Sequence, residues 1–181
     1  VRDLCIRCGD RKVCGPLQFE VCTGDRLAIN GRNGSGKSSL IRMILGEELE
    51  HSGQIRLASG LVISYVSQDT SFLKGDLSER IRERGLEESL VKALLRKLDF
   101  SREQFEKAVE TYSEGQKKKV LLAFSLCCQA HLYIWDEPLN YIDLYSRIQL
   151  EELILKWKPT MIFVEHDRRF MEKTATKQLQ M

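Results

Sequence analysis

The 181-residue sequence contains no apolar run long enough to cross a membrane. Its longest apolar run, residues 120–128, has about half of the ~20 residues that a spanning helix needs, and Ser125 interrupts it. The first residues lack the basic and then apolar regions of a signal peptide. We therefore expect a cytoplasmic protein with no transmembrane segment of its own. Because the chain does not begin with Met, we also expect a fragment of a longer protein.

A strong net charge is also missing. Lysine and arginine number 28 and aspartate and glutamate number 26, which leaves a formal charge of +2. This balance argues neither for nor against a nucleic-acid partner, so only local clusters could carry such a prediction. The 43% hydrophobic and 30% charged fractions are typical of a folded domain with a core of its own.

The six cysteines do not form a clear metal-binding pattern. Cys5 and Cys8 have a spacing found in zinc sites, and Cys14 and Cys22 could supply two more ligands. However, residues 4–8 resemble a strand, in which side chains three apart point to opposite faces. We therefore favour reduced thiols in a reducing compartment over a zinc site.

Short apolar segments alternate with helical patterns through much of the chain. The predicted strands are 2–8, 16–22, 25–30, 54–57, 61–66, 132–135 and 161–164. The predicted helices are 37–45, a helix from the 112–116 segment to Cys128, and 144–157, with a charged helical insertion over about 76–107. In that insertion, Leu86, Leu90, Ala93, Leu94 and Leu98 are predicted to form one apolar face. This alternation predicts an α/β fold with a mostly parallel central sheet and helices on its faces.

The most specific motif lies between a predicted strand and a predicted helix. Residues 31–38 fit the pattern G-x-x-x-x-G-K-[ST] of a phosphate-binding loop. Glycines let successive backbone N–H groups face one anion, and the helix that follows adds the positive end of its dipole. Lys37 is expected to contact the β- and γ-phosphates and Ser38 to ligate Mg²⁺. The predicted nucleotide-binding residues are Gly31, Asn33, Gly34, Ser35, Gly36, Lys37, Ser38 and Ser39.

Polar residues follow three further predicted strands. Asp136 ends an apolar strand, where ligands of α/β sheets bind, and its carboxylate can hold Mg²⁺ through water. Glu137 can poise a water for in-line attack on the γ-phosphate. Gln68 can ligate Mg²⁺ or orient that water, and His166 can hydrogen-bond the γ-phosphate. The predicted catalytic residues are Glu137, His166 and Gln68, and the predicted Mg²⁺ ligands are Ser38, Gln68 and Asp136.

Taken in order, these motifs resemble the nucleotide-binding domain of ABC (ATP-binding cassette) proteins over nearly the whole chain. The family's signature corresponds to Ser113-Glu114-Gly115-Gln116, its D-loop ends at Asp143, and its switch histidine is His166. The resemblance implies an ATPase that works in pairs, with ATP held between the phosphate loop of one cassette and the signature of another. Ser113, Gly115 and Gln116 are then expected to contact a nucleotide held by the partner.

Two segments point to one branch of that family. Residues 136–143, Asp-Glu-Pro-Leu-Asn-Tyr-Ile-Asp, are similar to the Asp-Glu-Pro-Thr-Asn-His-Leu-Asp run of ABC-F proteins. Together with residues 112–119, they look most like the C-terminal cassette of ABC-F proteins that protect the ribosome against lincosamides, pleuromutilins and streptogramin A. The resemblance implies one cassette over 1–181, with an N-terminal antiparallel β subdomain and a helical subdomain over about 74–128. It implies a second cassette, the ribosome and rRNA as partners, and no DNA.

Two positions depart from the family pattern. Cys8 stands where members usually carry an aromatic residue that stacks on adenine, which predicts weaker base binding. Glu114 replaces a glycine of the signature, and we expect its carboxylate to point away from the partner's γ-phosphate. Beside it, Lys117-Lys118-Lys119 is interpreted as a solvated face, with an RNA contact as the alternative.

Other function classes are less consistent with the sequence. The motor subunit of a membrane ABC transporter remains an alternative, although the segment between Gln68 and Ser113 is short for docking on membrane helices. A DNA-repair ATPase is disfavoured because the interval from Lys37 to Asp136 is too short for its coiled coil. Glu137 and His166 together argue against a cassette that binds ATP without hydrolysing it.

Overall fold

The computed structural model describes residues 1–9 and 11–181, and the side chains in these ranges other than those at 8, 11 and 12. The expectation about adenine stacking at Cys8 therefore lies outside the described side chains. The strands are β1 Arg2–Cys8, β2 Arg11–Leu17, β3 Arg26–Asn30, β4 His51–Gln54, β5 Ile63–Val66, β6 Leu132–Asp136, β7 Met161–Val164 and β8 Lys177–Gln180. The α-helices are α1 Lys37–Ile44, α2 Leu77–Glu83, α3 Glu88–Lys97, α4 Glu114–Cys127, α5 Leu144–Trp157 and α6 Arg168–Thr174.

Five parallel strands form the central sheet, in the order β5-β6-β7-β3-β8. Successive residues of a strand point to opposite faces, and here they enter two separate cores. Trp135 and Phe163 pack into one core with residues of α2 to α6. Ile134 and Ile162 pack into the other with α1 and the N-terminal strands. Both faces are therefore covered, as is usual for a parallel sheet, and the predicted fold class is confirmed.

A second sheet, in the order β2-β1-β4, is antiparallel and covers part of the second core. Leu4, Ile6 and Leu17 are its buried contribution to that core. This sheet confirms the predicted N-terminal antiparallel unit. It lies on the same side of the central sheet as α1, beside the loop that precedes that helix.

Two strand predictions are wrong in their bounds. The strand predicted at 16–22 ends at Leu17, because its partner β1 begins at Arg2 and Leu17 already pairs with Leu4. The strand predicted at 54–57 lies earlier, at His51–Gln54, where every residue is exposed. Backbone proximity fixes it there, since a Cβ on Gly53 would lie 2.2 Å from the carbonyl oxygen of Asp3.

The charged insertion forms two short helices and a 3-10 turn at Arg102–Glu106. The predicted apolar face is partly wrong, because Leu90 is 47% exposed while Val91 and Leu95 are buried. The buried face of α3 is formed by Val91, Leu94 and Leu95, and at about 100° per residue Leu90 and Ala93 fall outside it. Leu94 and Leu98 are buried as predicted.

The last two elements, α6 and β8, were not predicted. β8 is polar and short, and it joins the sheet only by pairing with β3, from Leu27–Lys177 to Asn30–Gln180. Within the described ranges, no helix has the length and apolar character needed to cross a bilayer. The same ranges contain no group of three or more His, Cys, Asp or Glu side chains arranged to hold a metal.

Candidate functional site

Four parallel strands deliver the predicted site residues to one edge of the central sheet. β3 leads into the loop 31–38, and β5 ends just before Gln68. β6 ends at Asp136 and is followed by Glu137, while β7 is followed by Glu165 and His166. Because β7 pairs with both β6 and β3, the carboxyl ends of these strands are neighbours. Ligands of open α/β sheets bind at this edge.

Backbone geometry closes the phosphate loop tightly. Gly34 and Gly36 have φ of 77° and 95°, backbone angles that residues with a side chain adopt only with strain. A Cβ on Gly36 would lie 3.0 Å from the side chains of Val13 and Cys14 on β2. The loop is thus pressed against the N-terminal sheet, and α1 begins directly after Gly36.

Two side chains in this loop have donors suited to an anion. Lys37 is 7% exposed, and its Nζ donates to the loop carbonyls of Gly31 at 2.9 Å and Arg32 at 3.0 Å. Ser35 Oγ is buried and has no hydrogen-bond partner among the described residues. A buried polar atom is normally satisfied, and a phosphate oxygen bound at the start of α1 would satisfy this hydroxyl.

Asp136 lies in the interior at the end of β6. It is 5% exposed, and burial, with the neighbouring Glu137 charge, raises the pKa of its carboxyl group above the usual value. The positive charges of Lys118 and Lys37 oppose that rise. Such a carboxylate, with the Ser38 hydroxyl and the Gln68 amide oxygen, is the type of oxygen donor set that Mg²⁺ takes.

Glu137 is the centre of a polar group that we name the glutamate cluster: Gln68, Glu137, Asn140 and His166. Its Oε2 accepts hydrogen bonds from Gln68 Nε2 and from Asn140 Nδ2, both at 2.6 Å. His166 Nε2 lies 3.7 Å from Glu137 Oε1. Glu137 itself has φ of 48°, an uncommon conformation for a residue with a side chain. The structure therefore brings the three predicted catalytic residues together.

The signature forms the beginning of α4. Ser113 is the N-cap, and its Oγ accepts a hydrogen bond from the Gln116 N–H at 3.2 Å. In return, Gln116 Oε1 accepts one from the Ser113 N–H at 2.9 Å, which completes a capping box. In the described ranges, no hydrogen bond joins Ser113 or Gln116 to the phosphate loop of the same chain. Ser113 is exposed to solvent.

The D-loop packs closely on the signature helix. A Cβ on Gly115 would lie 2.4 Å from the carbonyl oxygen of Tyr141, so only glycine allows this approach. One turn further along α4, Lys119 Nζ forms an ion pair with Asp143 Oδ2 at 2.6 Å. Partial burial by itself raises the pKa of the Asp143 carboxyl group. The hydrogen bonds from Lys119 and Ser146 outweigh that effect and lower the pKa to about 2.

The unusual Glu114 of the signature is held within its own chain. Its Oε2 accepts a hydrogen bond from Thr70 Oγ1 at 2.5 Å, and its Oε1 lies 3.2 Å from Lys117 Nζ. These contacts, with Thr70 first and Lys117 second, lower the pKa of the Glu114 carboxyl group. They give a physical reason for the prediction that this side chain points away from a nucleotide on a partner, which stays a prediction.

The interpretation of the three lysines as a solvated face is wrong for two of them. Lys118 is 1% exposed and Lys119 is 7% exposed. Lys118 Nζ donates to the carbonyl oxygens of Ser67 at 2.9 Å and Asp136 at 3.4 Å. Successive helix residues are rotated by about 100°, so three in a row cannot share one face. The RNA contact is equally ruled out for these two buried cations.

Two further polar residues of the site were not predicted. Glu165 is 5% exposed and accepts hydrogen bonds from the N–H groups of Leu139 at 2.8 Å and His166 at 2.9 Å. It therefore joins the D-loop segment to the loop of the switch histidine. The other is Asn140, whose position three residues after Glu137 was a usable signal. A carboxylate directly before His166, at a strand end, was the signal for Glu165.

A family model described as "ABC transporter" matches residues 14–140, which includes the phosphate loop and the Asp136-Glu137 pair. The chain belongs to the ABC transporter family. It is 37% identical over 163 residues to ATP-binding protein Uup of Buchnera aphidicola, covering 85% of the chain and 27% of that protein. It is 33% identical over 177 residues to ribosome protection protein VmlR of Bacillus subtilis, covering 94% of the chain and 32% of that protein.

These relatives make the chain an ABC cassette of the ABC-F type. Another relative, probable ATP-binding protein YheS of Escherichia coli K12, is 31% identical over 173 residues, covering 92% of the chain and 27% of that protein. The chain thus spans about a third or less of the length of the relatives that it matches.

Solved structures agree on the fold. The ATP-binding subunit of an ABC transporter superposes with a TM-score of 0.79 at 24% identity, over 99% of this chain and 84% of that one. The archaeal ribosome recycling factor aABCE1, in its complex with stalk protein aP1, gives 0.80 at 24% identity, over 98% of this chain and 35% of that one. At this identity the likeness establishes the cassette fold.

Proposed function

We propose that this chain is one cassette, residues 1–181 with a helical subdomain over about 74–128, of a longer cytoplasmic ABC-F ATPase that acts on the ribosome. The observation that carries the ATPase proposal is the glutamate cluster. Gln68 and Asn140 hold one oxygen of Glu137, and His166 approaches the other. A carboxylate fixed in this way at the sheet edge can accept a proton from an attacking water.

The loop 31–38 binds the triphosphate of ATP in this proposal. Lys37 Nζ gives up its hydrogen bonds to the two loop carbonyls and donates to phosphate oxygens instead. Ser35 Oγ donates to a phosphate oxygen and so gains the hydrogen-bond partner that it lacks. The remaining predicted contacts come from Gly31, Asn33, Gly34, Gly36, Ser38 and Ser39. Ser38, Gln68 and Asp136 hold Mg²⁺, which when bound offsets charge on the β- and γ-phosphates.

A second cassette completes the site from outside the chain. Ser113, Gly115 and Gln116 contact the nucleotide of that partner, and Asp143 ends the D-loop between the two. The exposed apolar residues beside the D-loop support this arrangement, since Tyr141 is 78% exposed and Leu144 is 68% exposed. Contiguous apolar exposure of this kind marks interaction sites.

The ribosome as partner is supported by what the relatives are. VmlR is a ribosome protection protein, and the aABCE1 structure is that of a ribosome recycling factor. We extend this to rRNA contact and to protection against a ribosome-targeting antibiotic, with lincosamides as the first class to test. Copurification with ribosomes supports the proposal, whereas copurification with a membrane subunit would favour the transporter alternative.

The catalytic proposal is tested by E137Q in the full-length protein. The glutamine amide can keep the hydrogen bonds in the cluster but cannot take a proton, so ATP turnover should fall by about 100-fold or more while nucleotide binding persists. E152Q, on the exposed side of α5, is the matched control and should leave turnover unchanged. Undiminished turnover of E137Q would remove Glu137 from the water-poising role.

The biological proposal is tested by expressing the full-length protein in a sensitive bacterium. Tolerance to a lincosamide should rise without a change in drug uptake, and E137Q should abolish the gain. Reduced drug uptake would point to transport, and unchanged tolerance to every ribosome-targeting class tested would contradict antibiotic protection.

A further inference from the structure

A buried cation lies between the signature helix and two strand ends. Lys118 lies two residues beyond the signature on α4 and is 1% exposed. Its Nζ donates to Ser67 O at 2.9 Å and to Asp136 O at 3.4 Å. Taking an ammonium out of water costs several kcal/mol unless polar groups compensate. A methionine would fill the same volume without that cost, so packing alone does not account for a lysine.

The two carbonyls that bind Lys118 belong to the segments that carry the proposed Mg²⁺ ligands. Ser67 O belongs to the peptide bond that leads into Gln68, and Asp136 O to the one that leads into Glu137. Gln68 and Glu137 are themselves hydrogen-bonded at 2.6 Å. One ammonium therefore fixes the backbone on both sides of this hydrogen bond, at the ends of the paired strands β5 and β6.

The charges around Lys118 come from three segments of the site. Asp136 ends β6 and Glu137 follows it, Glu165 follows β7, and Glu114 belongs to the signature. All four favour the charged form of Lys118 against the effect of burial. In turn, the ammonium offsets the repulsion between the Asp136 and Glu137 carboxylates.

We propose that Lys118 is a positioning residue that couples the signature helix to the magnesium centre of its own cassette. This inference rests on the proposed function. Because α4 begins at the signature and carries Lys118, its ammonium holds the Gln68 and Asp136 segments in a fixed position relative to the signature. Loss of these two hydrogen bonds releases both segments and lowers the affinity of the site for Mg²⁺.

The test compares K118M with the wild-type chain and with K117M. Lys117 is the preceding residue of the same helix, and its ammonium pairs only with Glu114 among the described residues. Binding of a fluorescent ATP analogue is titrated at increasing Mg²⁺ and also in excess EDTA. Removing a group that orients metal ligands typically costs 10–100-fold in metal affinity. K118M should therefore need about tenfold more Mg²⁺ for half-maximal binding, with its affinity in EDTA and the behaviour of K117M unchanged.

Each outcome separates the two proposals. If the wild-type chain binds no nucleotide at any Mg²⁺ concentration, the proposed function fails. If the wild type binds and K118M needs the same Mg²⁺ concentration, the coupling role of Lys118 is overturned. A lower melting temperature of K118M with an unchanged Mg²⁺ requirement has the same meaning, because a purely structural lysine behaves in that way.

A second measurement does not depend on whether K118M folds. A crystal structure of the wild-type protein with Mg²⁺ and a non-hydrolysable ATP analogue should keep Lys118 Nζ hydrogen-bonded to the carbonyl oxygens of both Ser67 and Asp136. A Lys118 side chain that leaves Ser67 and Asp136 when Mg²⁺ is present would overturn the inference.

Discussion

The phosphate loop and the glutamate cluster lie at the same edge of the sheet, but different kinds of contact hold them. Lys37 is bound by carbonyls five and six residues away. Gln68 and Glu137, by contrast, are 69 residues apart in sequence. The loop is therefore a local structure that needs only one strand and one helix, whereas the cluster exists only once β5, β6 and β7 have paired. We expect damage to the loop to weaken ligand binding, and damage to the cluster to slow hydrolysis of a nucleotide that is already bound.

The largest expected effect lies in the loop. K37A removes the charge-assisted hydrogen bonds to phosphate, each worth up to about 3 kcal/mol, so nucleotide affinity should fall by about 100-fold. The melting temperature should also fall, because K37A leaves the buried carbonyl of Gly31 without its hydrogen-bond donor. Equilibrium binding of a fluorescent ATP analogue measures this, with the surface variant K92A as control. If K37A bound the nucleotide with wild-type affinity, the assignment of ligand binding to the phosphate loop would be contradicted.

The next effect tests a long-range contact. An ordinary Gly→Ala change in a helix stabilises by roughly 0.5–1 kcal/mol, but the Cβ of G115A would meet Tyr141 O at 2.4 Å. We expect overpacking to reverse the sign and to cost about 1–3 kcal/mol. Urea unfolding of G115A and wild type, with K92A as control, measures it. A stabilised G115A would mean that the D-loop is not held against α4.

Within the glutamate cluster, Q68A should separate chemistry from binding. Losing one hydrogen bond to the Glu137 carboxylate is worth about 1.5 kcal/mol, which corresponds to roughly a tenfold drop in turnover. Affinity for the nucleotide in EDTA should not change, because among the described residues the Gln68 side chain bonds to Glu137 and not to the phosphate loop. In the full-length protein, single-turnover hydrolysis measures the rate of the chemical step, and equilibrium binding in EDTA measures the nucleotide affinity. A loss of affinity in EDTA equal to the loss of turnover would contradict this separation.

The smallest effect concerns Asp143, which combines a local cap with a long-range ion pair. Its pKa is about 2 in the folded chain, below the ~3.9 of an unfolded aspartate. The folded state thus binds fewer protons, so this stabilisation is present above about pH 4 and is lost as the pH falls toward 2. Asp143 is 45% exposed, and solvent screening leaves about 1 kcal/mol. The free energy of unfolding, measured with urea at pH 5 and at pH 3, should differ less between the two pH values for D143N than for the wild type.

Much of the site was predictable because its residues occur in short, recognisable runs. The glycines and Lys37 of the phosphate loop needed only their own segment and its flanking strand and helix. The same was true of Asp136 and Glu137 at the end of an apolar strand. The strands β6 and β7 were predicted within a residue, since both are continuous apolar runs.

Other features depend on which segments meet, and sequence patterns do not contain that information. β8 becomes a strand only beside β3, and β4 only beside β1. Glu165 is an ordinary acid until the N–H groups of Leu139 and His166 are brought to it. The strand predicted at 16–22 was wrong for the same reason, because the length of a strand depends on its partner.

By itself, the sequence determined the phosphate loop, the parallel α/β class and the order of the family motifs, because each of these is encoded within one contiguous segment or in the succession of segments. Only the tertiary structure decided which two of the three adjacent lysines are buried and what each of them binds. It likewise decided that Gln68, Asn140 and His166 meet at Glu137. The physical reason is that hydrogen bonds and ion pairs act over about 3 Å, and only the folded sheet brings these distant segments so close.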